Sequence, residues 1–335
     1  MWRRTAWIIA LAAAVATGRR SWGQVTADSE PLLLRANWVR FDVVLGRILA
    51  TAHRATQNQH RVQCEHACGA AETLVINIDR GLISLQYAKR SDREDLRVEV
   101  ARRDQLRVEW TRRPDNGPPT TVIYDQGVAG DVSLIVRSPG EADRAFQSTS
   151  LWHLMLIHRR VCEEHLAGIL ELLRPGWDLG REAAEVRSSL LDPEQLRHAV
   201  SRQEVAMAVD QLAEDQYQAR QQAHRQLRRW GRSAVCFLDE LDLRQLDAEQ
   251  RLHVESIRAA IKAEGDDSRQ RVAAWLANDM EIWVAMLADE DGQHRQTARQ
   301  RVARLANRLI VFDPTAPPNV RGQQVAALRA ELLVR

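Results

Sequence analysis

The sequence predicts an α+β N-terminal domain, a helix plus an antiparallel β-meander, followed by an all-α domain of helical hairpins. Three observations carry this prediction. Between residues 73 and 148, short segments rich in Val, Ile, Leu and Thr alternate apolar with charged side chains, the period of strands with one buried face. From Ser150 onward the apolar residues recur at three- and four-residue spacing, the period of helices with one buried stripe. The stretch QLAEDQYQARQQAHRQLRRWG, which starts at Gln211, returns as MLADEDGQHRQTARQRVARLA from Met286, 75 positions on.

Taken in chain order, the N-terminus MWRRTAWIIALAAAVATG has the layout of a secretory signal peptide. Arg3 and Arg4 open it, an apolar run follows from Ala6 to Thr17, and small residues come next. The run is shorter than the roughly 20 residues that span a bilayer. Cleavage is expected after Gly23, which assigns residues 1–23 to the signal and sends the mature chain to the periplasm or the extracellular space. Retention as an uncleaved anchor is the alternative. No cysteine stands near the cleavage region to carry a lipid, and no later segment is apolar enough to cross a membrane. A length of 335 residues suits two domains, and 45% hydrophobic residues suffice to fill their cores. The formal net charge is only +2, from 47 basic and 45 acidic residues. That balance supplies no sustained positive field, so no nucleic-acid partner is expected.

Residues 30–178 are assigned to the α+β domain. PLLLRANWVRFDVVLGRILATAHRAT, from Pro31, reads as a helix because Val39, Val43, Ile48 and Leu49 fall on one face. TLVINID, LISLQYAK, DLRVEVARR, QLRVEWTRR, TTVIYD and DVSLIVR read as strands. Turn signals separate them at Asp79-Arg80-Gly81, Pro114-Asp115-Asn116-Gly117, Gly127 to Gly130 and Pro139-Gly140. Nothing helical lies between the strands, which makes the pairing antiparallel. The next segment, SLWHLMLIHRRVCEEHLAGILELLRPGW, starts at a capping Ser150 and halts by Pro175-Gly176, and it is expected to lie across the sheet. Residues 179–335 form the all-helical domain. Its helix starts are marked by Asp192-Pro193, by the capping box Ser201 to Glu204 and by a similar Asp247 to Gln250. Helical stripes run through Val254, Ile257 and Ile261, then Ile282, Trp283, Met286 and Leu287, then Ala298, Val302 and Leu305.

The repeated stretches share a frame: an acid, an Arg five residues on, an Ala three later and an aliphatic four later. It is filled by Asp215, Arg220, Ala223 and Leu227, and again by Glu290, Arg295, Ala298 and Val302. The last three positions make one helical stripe, where the small Ala admits a neighbouring helix and the aliphatic fills the gap. The acid falls at the helix start, where the macrodipole favours negative charge. This frame resembles the HEAT-type helical repeat over roughly residues 200–310, with SAVCFLDEL from Ser233 as the second helix of the first pair. A degenerate unit is expected between the copies, around QRLHVESIRAAI and QRVAAWLAND. The resemblance departs at the proline that often follows the acid, which is missing here. It implies helix pairs that bury their stripes against one another and leave a ridged surface for protein segments. The whole layout also resembles exported bacterial proteins of unknown function.

Two stretches carry candidate chemistry. In QHRVQCEHACG, His60, Cys64, His66 and Cys68 fall on one face if the chain is extended. Two thiolates and two imidazoles suit tetrahedral Zn²⁺, yet four cysteines in an exported chain also suit disulfides, and free thiols are a third reading. On the helix after Ser150, His158, Cys162 and His165 recur at i, i+4 and i+7, a pattern for a metal or an assisted nucleophile. The same face continues through Leu151, Leu154, Ile169 and Leu173, which marks it equally as core. No phosphate loop, dinucleotide-binding glycines, nucleophile elbow or zinc-protease histidine pair occurs, so no catalytic residue and no cofactor is assigned. The leading expectation is therefore an exported, non-enzymatic interaction or scaffold protein with a protein partner. A periplasmic carrier holding lipid between sheet and helix comes second, because the layout of residues 35–150 resembles the half-barrel of lipoprotein carriers. A hydrolase-type enzyme or metal site at His158, Cys162 and His165 comes third.

Overall fold

The computed structural model describes residues 31–52, 58–66, 69–79, 82–127, 130–192, 200–262 and 267–333. The proposed signal, Cys68, the Arg80-Gly81 turn and the Pro193 helix start lie outside these residues. The described chain opens with a short helix, α1 (Leu32–Ala36), closed by Asn37 in the left-handed region at φ 47°. Residues 39–52 of the segment read as a helix are instead a β-hairpin, β1 (Val39–Val44) with β2 (Arg47–Ala52). Its buried residues, Phe41 and Val43 facing Ile48 and Ala50, alternate with period two. Val39 and Val43, four residues apart, share a helical face, but Ile48 would fall on the opposite side of a helix, so the stripe read there rests on too few positions. The hairpin turn is Leu45-Gly46, with φ of 51° and 68°. A two-residue hairpin turn takes such positive values at both positions, but Leu is a costly residue there and gives no turn signal in the sequence.

A buried carboxylate holds that turn. Asp267 accepts from the Leu45 and Gly46 amides at 2.8 and 2.7 Å and from the Trp152 indole at 2.7 Å, and it pairs with Arg232. Its own amide donates to the Val43 carbonyl at 2.9 Å. Gly46 is required on a second count: a Cβ there would stand 2.5 Å from that of Ser150.

The six segments read as strands all form, and residues 58–65 and 144–148 add two edge strands that are not read as such from the sequence. Eight strands, β3 (Asn58–Glu65), β4 (Ala71–Asp79), β5 (Leu82–Arg90), β6 (Glu94–Arg102), β7 (Gln105–Arg112), β8 (Thr120–Gln126), β9 (Val132–Arg137) and β10 (Arg144–Ser148), pair antiparallel in sequential order. In the two LRVE segments, Val98 faces Val108 on the buried side, while Arg97 faces Glu109 and Glu99 faces Arg107 on the outer side. Such opposite-charge pairs reinforce the register.

Across the inner face lie α1, the hairpin and the helix that follows Ser150. That helix runs as α2 (Leu151–Ile157), α3 (Arg159–Val161), a π-helical turn (Cys162–Leu166) and α4 (Ala167–Leu173). Ser150 caps it, its hydroxyl accepting from the His153 amide at 3.3 Å. Gly168 lets it approach the sheet closely, since a Cβ there would meet the Trp110 ring at 2.7 Å.

Among the described residues all later elements are helical: α5 (Leu179–Leu190), α6 (Arg202–Gln211), α7 (Tyr217–Trp230), α8 (Arg232–Asp239), a 3-10 turn (Leu243–Gln245), α9 (Ala248–Lys262), α10 (Arg269–Leu276), α11 (Met280–Met286), α12 (Gly292–Ala306) and α13 (Pro318–Leu332). Both capping boxes form. Ser201 and Glu204 satisfy each other's amides, and Asp247 and Gln250 do the same at 2.7 and 3.1 Å. Two cores result. One runs from the sheet through α2–α4 and α5 into α10–α13, and the other lies within α6–α9, from Val200 to Ile261. Trp275 and Leu305 pack against both. The Pro175-Gly176 turn thus ends a helix but does not divide the core, because α5 buries Leu179, Val186 and Leu190 in the same cluster as the sheet.

The repeated stretches have the same local build. The α6–α7 and α11–α12 links carry matching amide-to-carbonyl bonds: Leu212 to Val209, Ala213 to Asp210 and Glu214 to Gln211, against Leu287 to Val284, Ala288 to Ala285 and Asp289 to Met286. Ala223, Leu227, Ala298 and Val302 are fully buried. Arg220 donates to the carbonyls of Glu214 and Asp215 at 2.8 and 3.0 Å, and Arg295 to those of Asp289 and Glu290 at 2.9 and 2.8 Å. The frame acids therefore act through their carbonyls at this contact, and the Glu290 carboxylate pairs with Arg160 instead. The same lock recurs in α9, where Arg251 reaches the Leu246 carbonyl at 3.2 Å, and in α13, where Arg321 reaches that of Ala316 at 2.7 Å. In each of these four helices the Arg is the fourth residue. From there a guanidinium folds back over the incoming turn and satisfies carbonyls that no helix amide reaches.

Candidate functional site

A concavity of about 920 Å³ lies on the side of the α2–α4 helix that faces α5. Small residues make room for it: Ala167 and Gly168 on one helix, Gly180, Ala183 and Ala184 on the other. Met155, Leu170 and Ala183 form an apolar floor, with Trp177 at one end. The rim is charged and internally paired. Arg159 bonds Glu163 at 2.7 Å, Arg181 bonds Asp178 at 3.2 Å, and Arg187 pairs with Asp289 at the turn of the second repeated hairpin. A smaller hollow of about 310 Å³ shares Ala184 and Arg187 and continues toward His294 at the start of α12. The groove thus runs from the sheet-covering helix to the start of α12.

The His158, Cys162 and His165 face does not assemble into a site. The face is core: Leu151, Leu154, Cys162, His165, Ile169 and Leu173 are all buried, and they stay so across a π turn in which the Ala167 amide bonds the Cys162 carbonyl, five residues back. His158 is half-buried, with its ring centre 5.0 Å from that of Phe146, and burial followed by Arg329 lowers its proton affinity. Cys162 lines the groove floor but donates to the Leu154 carbonyl at 3.4 Å, and burial pushes its thiol up to about 12. A thiol so protonated is a poor nucleophile. His165 is buried; desolvation lowers its affinity for a proton, Glu164 at 3.5 Å opposes this, and Arg144 and Arg112 add to it.

The His60 to Cys68 stretch is partly described. His60 and Cys64 occupy alternate positions of β3, but each has its own neighbour. The His60 ring lies 4.8 Å from Trp38, Cys64 is a free thiol 3.7 Å from an Arg35 nitrogen, and His66 meets Glu72 at 2.8 Å. Glu72 also accepts from Tyr87 at 2.8 Å and from the Leu32 amide at 2.6 Å, so it ties α1 to the sheet. The space that a lipid carrier would use, between sheet and helix, is filled by Leu32, Leu33, Phe41, Val43, Ile48 and Ala50.

Sequence reasoning missed a second cluster. His153, on α2, sets its Nδ1 2.7 Å from the Ser150 hydroxyl and its Nε2 2.9 Å from Asp279, the cap of α11. Glu281 lies beside them, and the ligating atoms of these three lie within 4.8 Å of one another, the one such set among the described residues. Burial alone would lower the His153 pKa, but Asp279 raises it above the usual histidine value. Burial likewise works to raise Asp279, yet His153 and the backbone amides of α11 hold it below the usual range. Burial raises Glu281. The partners stand 126 residues apart, so no sequence spacing marks them.

No protein-family model, curated protein or solved structure matches the chain. Its chemistry is therefore argued from its own residues: an open apolar groove with a paired charged rim, and a buried His–carboxylate cluster.

Proposed function

We propose that this protein is an exported, non-enzymatic interaction or scaffold protein, whose HEAT-like helical hairpins and adjoining groove bind a segment of another protein. The observation that carries this reading is the groove itself. Its floor is apolar, its volume is about 920 Å³, and its charges stand on the rim rather than at a reaction centre. Apolar floors ringed by charge are the usual form of helix-in-groove recognition. The Arg187–Asp289 pair joins the groove to a repeated hairpin, so partner and repeats would meet on one surface. Export is proposed from the N-terminal sequence alone.

A photo-crosslinking residue at Ala184, exposed within the groove, tests the proposal, with Glu99 on the outer sheet face as the control. A protein adduct formed from position 184 and not from position 99 supports it. Adducts to lipid or small molecules, or equal adducts from both positions, would count against it.

A further inference from the structure

We propose that His153, Asp279 and Glu281 form a site for a divalent first-row transition ion, with Zn²⁺ as the test ion. The donors, one imidazole nitrogen and two carboxylates, suit Zn²⁺ and its neighbours in the row. Metal–ligand bonds of about 2.0–2.2 Å place neighbouring ligand atoms roughly 2.8–3.5 Å apart. His153 Nε2 and Asp279 Oδ2 already stand 2.9 Å apart, and the whole set lies within 4.8 Å. Binding therefore asks for a shift of the Glu281 side chain, not of a helix.

Three further features point the same way. First, the His153 ring is held from behind. Its Nδ1 contacts Ser150 Oγ at 2.7 Å, that hydroxyl is fixed as the cap of α2 beneath Gly46, and Trp275 lies edge-on to the ring at 5.7 Å. Metal-ligating histidines are commonly oriented by such a bond at the other nitrogen. Second, Asp279 is pre-set, because its Oδ1 accepts from the Ile282 amide at 3.1 Å while Oδ2 faces His153. Third, the half-buried Glu281 carboxylate makes no hydrogen bond or ion pair among the described residues, although it faces a second carboxylate. Around Glu281 the carboxylates of Asp279 and Asp131 are set against His153 and Arg329, and a divalent ion held by Asp279 and Glu281 would neutralise the two acids that converge there. Bound there, the ion would staple α2, which covers the sheet, to α11, the first helix of the second repeated hairpin. The remaining coordination positions would fall to water.

The experiment uses the full chain, stripped with chelator and titrated with Zn²⁺ against a chromogenic competitor, with retained metal counted by mass spectrometry. The expected result is one Zn²⁺ per chain and a raised Tm. Affinity should fall at least tenfold in Glu281→Gln, with unchanged far-UV circular dichroism. Asp279→Asn, which keeps an oxygen for the Ile282 amide, should fall similarly. Retention of no Zn²⁺, or equal retention in wild type and Glu281→Gln, overturns the proposal. So does a thiolate charge-transfer band in the Co²⁺-loaded chain, which would move the metal to a cysteine.

Discussion

Replacing Asp267 with alanine should destabilise the protein severely. The carboxylate is fully buried and gathers two backbone amides, an indole and a guanidinium from distant parts of the chain. Alanine leaves the Leu45 and Gly46 amides without their acceptor in a turn already held at positive φ. It also takes the Asp267 carboxylate away from Arg232, itself buried. Removing one member of a buried ion pair costs about 3–5 kcal/mol, and a buried amide left unsatisfied about 1–3 kcal/mol. These overlap, so a total near 4–6 kcal/mol is expected, a large share of the roughly 5–15 kcal/mol that domains possess. Urea unfolding followed by tryptophan fluorescence measures the loss. The double variant Asp267→Asn with Arg232→Met should recover part of it, because no guanidinium is then left facing a lost partner. A loss under about 1 kcal/mol for Asp267→Ala would show that the carboxylate does not hold the hairpin and the helices together.

Other consequences are smaller in size. Arg295→Ala, which loses partly buried bonds to Asp289 and Pro314 and an exposed one to Glu290, should cost about 1.5–3 kcal/mol by urea unfolding, whereas Arg220→Ala, whose bonds to Glu214 and Asp215 are exposed, should cost about 1 kcal/mol or less. Cys162, with its thiol pushed up to about 12, should resist iodoacetamide at pH 8 until the protein unfolds; peptide mapping that finds it alkylated in the native state would contradict its burial. Ser201→Ala should cost about 0.5–2 kcal/mol at neutral pH. Its hydroxyl, followed by its amide, holds Glu204 below the usual glutamate range, so this contribution is present above the unfolded pKa of about 4.3 and lost as pH falls through the folded value. The gap between variant and wild type should therefore narrow in acid to the share of the Glu204 amide's bond to the Ser201 hydroxyl, and a gap that stays constant to about pH 2 would argue against the bonds to the Glu204 carboxylate as part of its source.

Where one period dominates, the sequence is explicit. The alternation from Thr73 to Arg137 places six strands, and the caps at Ser150 and Ser201 place helix starts that the structure keeps. The hairpin at residues 39–52 is hidden because its turn uses Leu45, held by Asp267, a carboxylate 222 residues away. No local rule contains that bond. The His158, Cys162 and His165 pattern is legible as the core stripe it shares with Leu151, Leu154, Ile169 and Leu173, whose burial leaves Cys162 and His165 no exposed site. The groove is hidden. Its small residues, Ala167, Gly168, Gly180 and Ala184, look like ordinary helix positions until α5 folds back against α4. The repetition, in contrast, is legible down to Arg220 and Arg295, since a local lock of five residues leaves a local trace.

The claim that the groove is a protein-binding surface is tested most directly by filling it. Ala184→Trp places an indole over the apolar floor from an exposed helix position, where no core packing is disturbed. With the partner obtained by crosslinking from position 184, its affinity for the wild-type and Ala184→Trp chains is measured by calorimetry. A loss of tenfold or more, with unchanged Tm, is the predicted result. Equal affinity for the two chains would contradict the account.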